Sequence, residues 1–325
     1  MTCAKPKPDP SWVVSNAARE IACHNEEVTT RLFDHLKYRR RRVGVWLRSR
    51  VVTHPGPERS VWISSWQRSG STWLAEVLAS TPRTRLIYEP VNVPDGIVTG
   101  EQAALQVVPR ANAVHTSFVY NSLRGRIGNH WVDQLNHSHF PRRTVVKDVR
   151  GIELVSEVRA LSPSTPFVIL LRHPFAVAAS VVRLGWFDPT LSPRDAFVKE
   201  VARWCSSHER ALTSWRETTH DVDPAGSRTH WTTYEELTGV IAGDTVDTVV
   251  DFLISCNVTW RTLAAHRRDL ARRSATDFAG EPIAIEDEWR SAAYGYLVAS
   301  GWNHLYDEHG AQRLPIAQFL ATTRK

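Results

Sequence analysis

The sequence predicts an α/β protein of three layers, a central parallel sheet with helices on both faces. Short apolar runs rich in β-branched residues recur along the chain, and several lead into segments whose apolar residues repeat at helical spacing. Of 325 residues, 42% are hydrophobic and 23% charged, enough apolar material to fill a sizeable core.

Residues 11–50 read as helical and end in a basic run, Arg39 to Arg42, followed by Val43, Val45, Trp46 and Leu47. Such a run suits a solvated helix face, or a patch in peripheral contact with anionic lipid or an acidic substrate. His54-Pro-Gly-Pro then breaks the chain. The expected boundary lies there, between an N-terminal helical extension, 1–55, and one larger domain, 56–325. Five β-type segments follow, at Val61–Ser65, Arg85–Glu89, Thr144–Lys147, Phe167–Leu171 and Arg228–Tyr234. After the first, Trp73, Leu74, Val77 and Leu78 form one apolar helix face; after the fourth, Val177, Val181 and Leu184 form another. A helix is expected at Thr245–Ile254. Strands alternating with helices pair in parallel, and ligands then bind beyond the strands' carboxyl ends. The strand-to-helix turns are the places to search.

Residues 92–143 carry many polar and aromatic side chains, among them His130, Trp131, His137 and His139. No metal-ligand spacing is evident, so no metal is expected. An insertion of this kind suits a substrate-binding lid. The formal net charge of +6 favours anionic partners without choosing among nucleotide, nucleic acid, lipid and polysaccharide. Cys3, Cys23, Cys205 and Cys256 are widely spaced, which suits reduced thiols in a cytoplasmic protein better than disulfides or zinc. The start, MTCAKPKPDP, lacks the apolar core of a secretory signal. No apolar stretch approaches the roughly 18–20 residues of a membrane span.

The first turn reads Ser65-Trp66-Gln67-Arg68-Ser69-Gly70-Ser71-Thr72-Trp73. Gly70 permits a tight turn, Ser69, Ser71 and Thr72 offer hydroxyls, and the next helix offers free N–H groups at its positive end. Arg68 adds a fixed charge. Together they suit an anion, or else a plain helix cap. A nucleotide triphosphatase is disfavoured, because the first glycine and the lysine of a Walker A loop are both missing. Arg-Ser-Gly-Ser-Thr-Trp at 68–73 resembles the 5′-phosphosulfate loop of sulfotransferases that use 3′-phosphoadenosine 5′-phosphosulfate (PAPS). The resemblance implies that Arg68, Ser69, Gly70, Ser71 and Thr72 hold the phosphosulfate. It places Trp73 on the adenine, where core packing is the alternative.

The fourth segment ends in Arg172-His173-Pro174, with Ser180 about two helical turns on. Pro174 suits a first helical turn, and the guanidinium fork of Arg172 suits phosphate. This stretch is similar to the family's 3′-phosphate motif, which implies that role for Arg172 and Ser180. Trp231 to Leu237 resembles a later family strand, with Tyr234 as a cofactor contact or a packing residue. The C-terminal loop of the phenol- and steroid-acting members is absent; only Arg272, Arg273 and Ser274 lie near its place. Trp289-Arg290 and Gly301 are closer to bacterial and Golgi carbohydrate-acting members.

The resemblance implies sulfuryl transfer from PAPS to an acceptor hydroxyl, of a carbohydrate or glycolipid, with no nucleic-acid partner. Such transfer needs a base for the acceptor and positive charge at the departing oxygen. Arg68 and Lys147 are the candidate cations. The histidine base of phenol-acting relatives is missing, since Val149 stands two residues after Lys147. Glu89, in a segment similar to one in carbohydrate-acting and mycobacterial members, is the expected base, with Asp148 and His115 as alternatives. The rival readings are a P-loop kinase of small molecules and a non-enzymatic binder of anionic polymer.

Overall fold

The computed structural model describes residues 55–90, 119–127, 131–136, 138, 141–149, 152, 155–219, 228–240, 245–258, 260 and 285–323. The segment 11–50 expected to be helical, with its basic run, most of the 92–143 stretch, His115, Arg272 and Arg273 lie outside them. In chain order the elements are β1 (Ser60–Ser65), α1 (Ser71–Ala79), β2 (Thr84–Tyr88), β3 (Arg143–Asp148), α2 (Val155–Leu161) and β4 (Phe167–Leu171). Next come α3 (Pro174–Arg183), α4 (Pro193–Thr219), β5 (Thr229–Thr233), α5 (Tyr234–Leu237), α6 (Val246–Ser255), α7 (Asp287–Ala299) and α8 (Ile316–Thr322).

The five strands form one sheet in the order β2-β3-β1-β4-β5, and every neighbouring pair is parallel. Every residue of β1 and β4 is buried, as expected where helices cover both faces of a parallel sheet. The alternation of strand side chains divides the core. Val61, Ile63, Val168 and Leu170 pack with Leu74, Val77 and Leu78 of α1 and with Val249 and Leu253 of α6. Ile169 and Leu171 point the other way, into a cluster with Val177, Phe197, Trp204, Trp302 and Phe319. Trp62, Val146 and Phe167 belong to a third cluster with Ile87, Val119 and Leu123. No helix among the described residues is long and apolar enough to cross a membrane.

Three strand boundaries matter for the site. The second segment ends at Tyr88, not Glu89, because Glu89 turns to φ 41° and leaves the ladder. The fifth ends at Thr233, whose side chain accepts from Glu236 N, so Tyr234 opens a helix. In α6 the hydroxyl of Thr245 caps Thr248 N, and the helix proper begins at Val246.

Candidate functional site

Strand pairing decides which turns meet. β1 lies beside β4 with Ser65 opposite Leu170, so the turn at 66–70 and the chain leaving β4 emerge side by side. β2 lies beside β3 with Tyr88 opposite Lys147, so Glu89 leaves the sheet next to Lys147. A cleft of about 340 Å³ opens at these strand ends, lined by residues of both groups, among them Arg68, Gly70, Thr72, Glu89, Lys147 and Arg172.

The first turn is held in left-handed conformations at Arg68 (φ 64°) and Gly70 (φ 85°). Only glycine takes the second position comfortably. A Cβ there would lie 2.4 Å from Cδ2 of Tyr234, so the tyrosine ring occupies the space that glycine leaves. Gly70 starts α1 with no side-chain cap, leaving the first helical N–H groups to an external acceptor. The Ser69 hydroxyl and the Trp73 indole N–H are buried without hydrogen-bond partners among the described residues. Uncapped amides, an orphan hydroxyl and a guanidinium suit an anion.

Arg172 joins this turn directly. Its Nη1 donates to the carbonyl of Arg68 at 2.9 Å, and its guanidinium lies 4.5 Å from the centre of the Tyr234 ring. Arg68 in turn donates from Nε to the Ser180 hydroxyl at 2.9 Å and lies 5.5 Å from the centre of the Trp186 ring. Burial, then the charges of Arg172 and Arg183, lower the Arg68 pKa. A site that crowds guanidinium groups in this way favours a multiply charged anion.

On the β2–β3 side, Lys147 Nζ donates to Glu89 Oε1, with side chains only 2% and 8% exposed. The Glu89 amide donates to the Lys147 carbonyl at 2.6 Å, fixing the kinked backbone. Burial lowers the lysine's pKa, and the attraction of Glu89 opposes that fall. Such a pair persists only while each partner satisfies the other. The Lys147 ammonium also lies 4.6 Å from the Tyr88 ring centre, and Trp131 donates its indole N–H to the Glu89 carbonyl at 3.2 Å.

The expected site residues in the described region thus gather around one cleft. Arg68, Gly70, Ser71, Thr72, Trp73, Glu89, Lys147, Arg172 and Tyr234 line it; Ser69 is buried in the turn, and Ser180 is reached through Arg68. Asp148 is fully buried at the end of β3.

A model of the sulfotransferase family matches residues 60–253, more than half of the chain, from the start of β1 into α6. The chain belongs to the sulfotransferase family. Sulfuryl transfer is therefore its general chemistry. Similar solved structures include a mouse sulfotransferase complexed with PAP, at 14% identity over 83% of this chain and 90% of that one, TM-score 0.45. A sulfotransferase domain from the curacin biosynthetic pathway aligns at 17% identity over 74% and 97%, TM-score 0.37. A Mycobacterium avium sulfotransferase aligns at 12% identity over 74% and 76%, TM-score 0.40. Comparison with curated proteins gave no match.

Sequence reasoning about this sulfotransferase missed the groups behind the turn. Glu200 of α4, 4% exposed, accepts from Trp66 Nε1 and Gln67 Nε2, both at 2.7 Å. A lone glutamate on an amphipathic helix gives no sequence signal for that task. Trp186 was missed as well; it lines the cleft while 56% exposed, and an exposed tryptophan just past a helix end was the available hint.

Proposed function

We propose that the protein transfers the sulfuryl group of PAPS to an acceptor hydroxyl, with a carbohydrate or glycolipid as the acceptor. The observation that carries this reading is the linkage of the two turns, Arg172 to the backbone of Arg68 and Arg68 to Ser180, in the cleft that also holds Glu89 and Lys147. A donor with phosphate groups at both ends requires two anion sites joined in this way. Arg68, Ser69, Gly70, Ser71 and Thr72 take the 5′-phosphosulfate, and the orphan Ser69 hydroxyl fits that use. Arg172 and Ser180 take the 3′-phosphate, with Arg272 and Arg273 as further contacts. Trp73 packs on the adenine, while Tyr234 supports both Gly70 and Arg172.

In this reading Glu89 accepts the acceptor's proton as its oxygen attacks sulfur in line. The bond from sulfur to the 5′-phosphate oxygen breaks, and the electron pair stays on that oxygen. Arg68 and Lys147 place positive charge where this negative charge develops. Lys147 also holds the Glu89 carboxylate in place through their ion pair. The domain from residue 56 onward carries the chemistry, with 92–143 as the acceptor insertion. Tyr88, Trp131 and Trp186 line the cleft, and such aromatic surfaces suit the apolar faces of sugar rings.

Two measurements test the reading. Adenosine 3′,5′-bisphosphate without metal should raise the melting temperature more than ATP with Mg²⁺; equal shifts would favour a kinase. Transfer of labelled sulfate from PAPS should be found on sugar or glycolipid hydroxyls in a screen of acceptor classes. Glu89→Gln should slow that transfer by about 10²–10⁴-fold and leave bisphosphate affinity within a few-fold. Full turnover in that variant would remove Glu89 from the base role.

A further inference from the structure

Glu89 stands on backbone that a residue with a side chain does not keep without support. Its φ of 41° lies in the left-handed region, which such residues hold only where their surroundings fix them. Both of its main-chain polar groups are engaged. The N–H donates to the Lys147 carbonyl of β3 at 2.6 Å, and the carbonyl accepts from the Trp131 indole Nε1 at 3.2 Å. The second bond matters because the next residue is Pro90. The peptide joining the two has no N–H, so that carbonyl is its only hydrogen-bonding group, and the indole takes it.

The indole is itself held in register. β2 is an edge strand, and the segment 131–133 is fastened to it at three successive residues. Trp131 meets the Tyr88 ring edge-on, with centroids 5.4 Å apart. Val132, buried in a cluster with Ile87 and Val146, accepts from Tyr88 N at 3.0 Å. Asp133 pairs with Arg85 at 2.8 Å, and the same guanidinium, with its side chain 9% exposed, donates to the carbonyls of Gly125 and Ile127. A buried pair whose remaining donors are satisfied makes a fixed anchor.

We propose that Trp131 is a positioning residue for sulfuryl transfer: its indole N–H locks the left-handed backbone of Glu89 and thereby aims the carboxylate, with the Arg85–Asp133 pair holding the indole in place. The proposal rests on the reading of Glu89 as the base. The Lys147 ion pair restrains the tip of the glutamate; the indole restrains its root. Without the indole bond the Glu89–Pro90 peptide can turn, and Glu89 can relax toward ordinary backbone angles, which redirects its Cβ. For an in-line reaction, small errors in aim cost rate more than binding. The stretch expected to receive the acceptor thus also sets the geometry of proton transfer.

The test uses the full chain and an acceptor identified by the labelled-sulfate screen. Trp131→Phe keeps an aromatic ring against Tyr88 and removes the donor. Its kcat should fall about tenfold, with KM for PAPS and acceptor within about threefold of the parent. Unchanged kcat, or a loss confined to the acceptor KM, would overturn the proposal and leave Trp131 as a packing surface. In a Glu89→Gln background the same substitution should change the residual rate by less than about twofold, because it acts through the carboxylate. A further tenfold loss there would also overturn it. Amide hydrogen exchange gives a reading without turnover: the Glu89 N–H should exchange at least about tenfold faster in Trp131→Phe, at unchanged global stability, and an unchanged rate would count against the lock. If Trp131→Phe does not fold, β-(3-benzothienyl)alanine at position 131 keeps both rings, lacks the N–H, and should give the same results. Full turnover in Glu89→Gln sinks the base reading itself. An inactive Glu89→Gln beside a Trp131→Phe with parental kcat and exchange sinks only the role of Trp131.

Discussion

A methyl group at position 70 would meet Tyr234 ring carbons at 2.4 and 2.7 Å, and the ring has little freedom to yield because the Arg172 guanidinium packs on it. The backbone at φ 85° adds strain for any residue with a side chain. Gly70→Ala should therefore cost about 1–3 kcal/mol of stability and weaken bisphosphate binding at least tenfold. Urea unfolding and titration calorimetry check both, and a variant unchanged in each would show that the turn is not built around this contact. The turn itself was legible in sequence, because a glycine set among hydroxyls directly after an apolar strand marks a tight polar bend. The tyrosine that fills the glycine's gap was legible only as part of a motif, since close approach between distant stretches leaves no local pattern. The kink at Glu89 was not legible at all. Nothing in Ile87-Tyr88-Glu89-Pro90 announces a left-handed glutamate, and the expected strand ran one residue too far.

The strands were easier to foresee than the helices that brace them. All five expected segments lie on observed strands with ends displaced by a residue or so, because a fully buried parallel strand must be a short apolar run. The long helix α4 went unforeseen, although Phe197, Val201, Trp204, His208 and Leu212 repeat at helical spacing along its buried face. Charged residues separate these positions and dilute any impression of an apolar segment. Glu200 shows what the helix contributes beyond packing. Its carboxylate holds the Trp66 indole and the Gln67 amide, the two residues just before Arg68, and also receives Arg203 at 3.3 Å. Glu200→Ala leaves the buried indole N–H without its acceptor, which costs about 1–3 kcal/mol. The loosened turn should also bind bisphosphate several-fold more weakly. A drop in unfolding midpoint with unchanged affinity would limit Glu200 to a role in folding.

The two halves of the core on either side of the sheet differ in what they bury, and the difference sets how the molecule responds to acid. The cluster around α3, α4 and α7 encloses two histidines, at 0% and 1% exposure. His173 accepts from Phe175 N through Nδ1 at 3.1 Å, so its proton sits on Nε2, facing the Asp307 carbonyl. His208 stacks on Trp204 at 4.0 Å and bonds that residue's carbonyl through Nδ1, while Nε2 is buried without a partner among the described residues. Protonating His173 breaks the cap of α3, and protonating His208 strands a charge in an apolar core. Burial accordingly lowers their pKa values to about 4 and about 3. Both lie below the ordinary value of about 6.5, so the unfolded chain binds more protons across the interval between. Their contribution to stability is complete above about pH 6.5 and is lost as pH falls toward the folded values. Each histidine should remove about 1.4 kcal/mol per pH unit in that window, about 2.7 kcal/mol per unit together. Urea midpoints measured at pH 7.5, 6 and 5 should show the decline. His208→Leu removes one titrating group and its orphan nitrogen, so its slope between pH 6 and 5 should be roughly half that of the parent. Parallel slopes for the two proteins would mean that His208 is not held neutral in the folded state, and that the stacked pair with Trp204 tolerates charge.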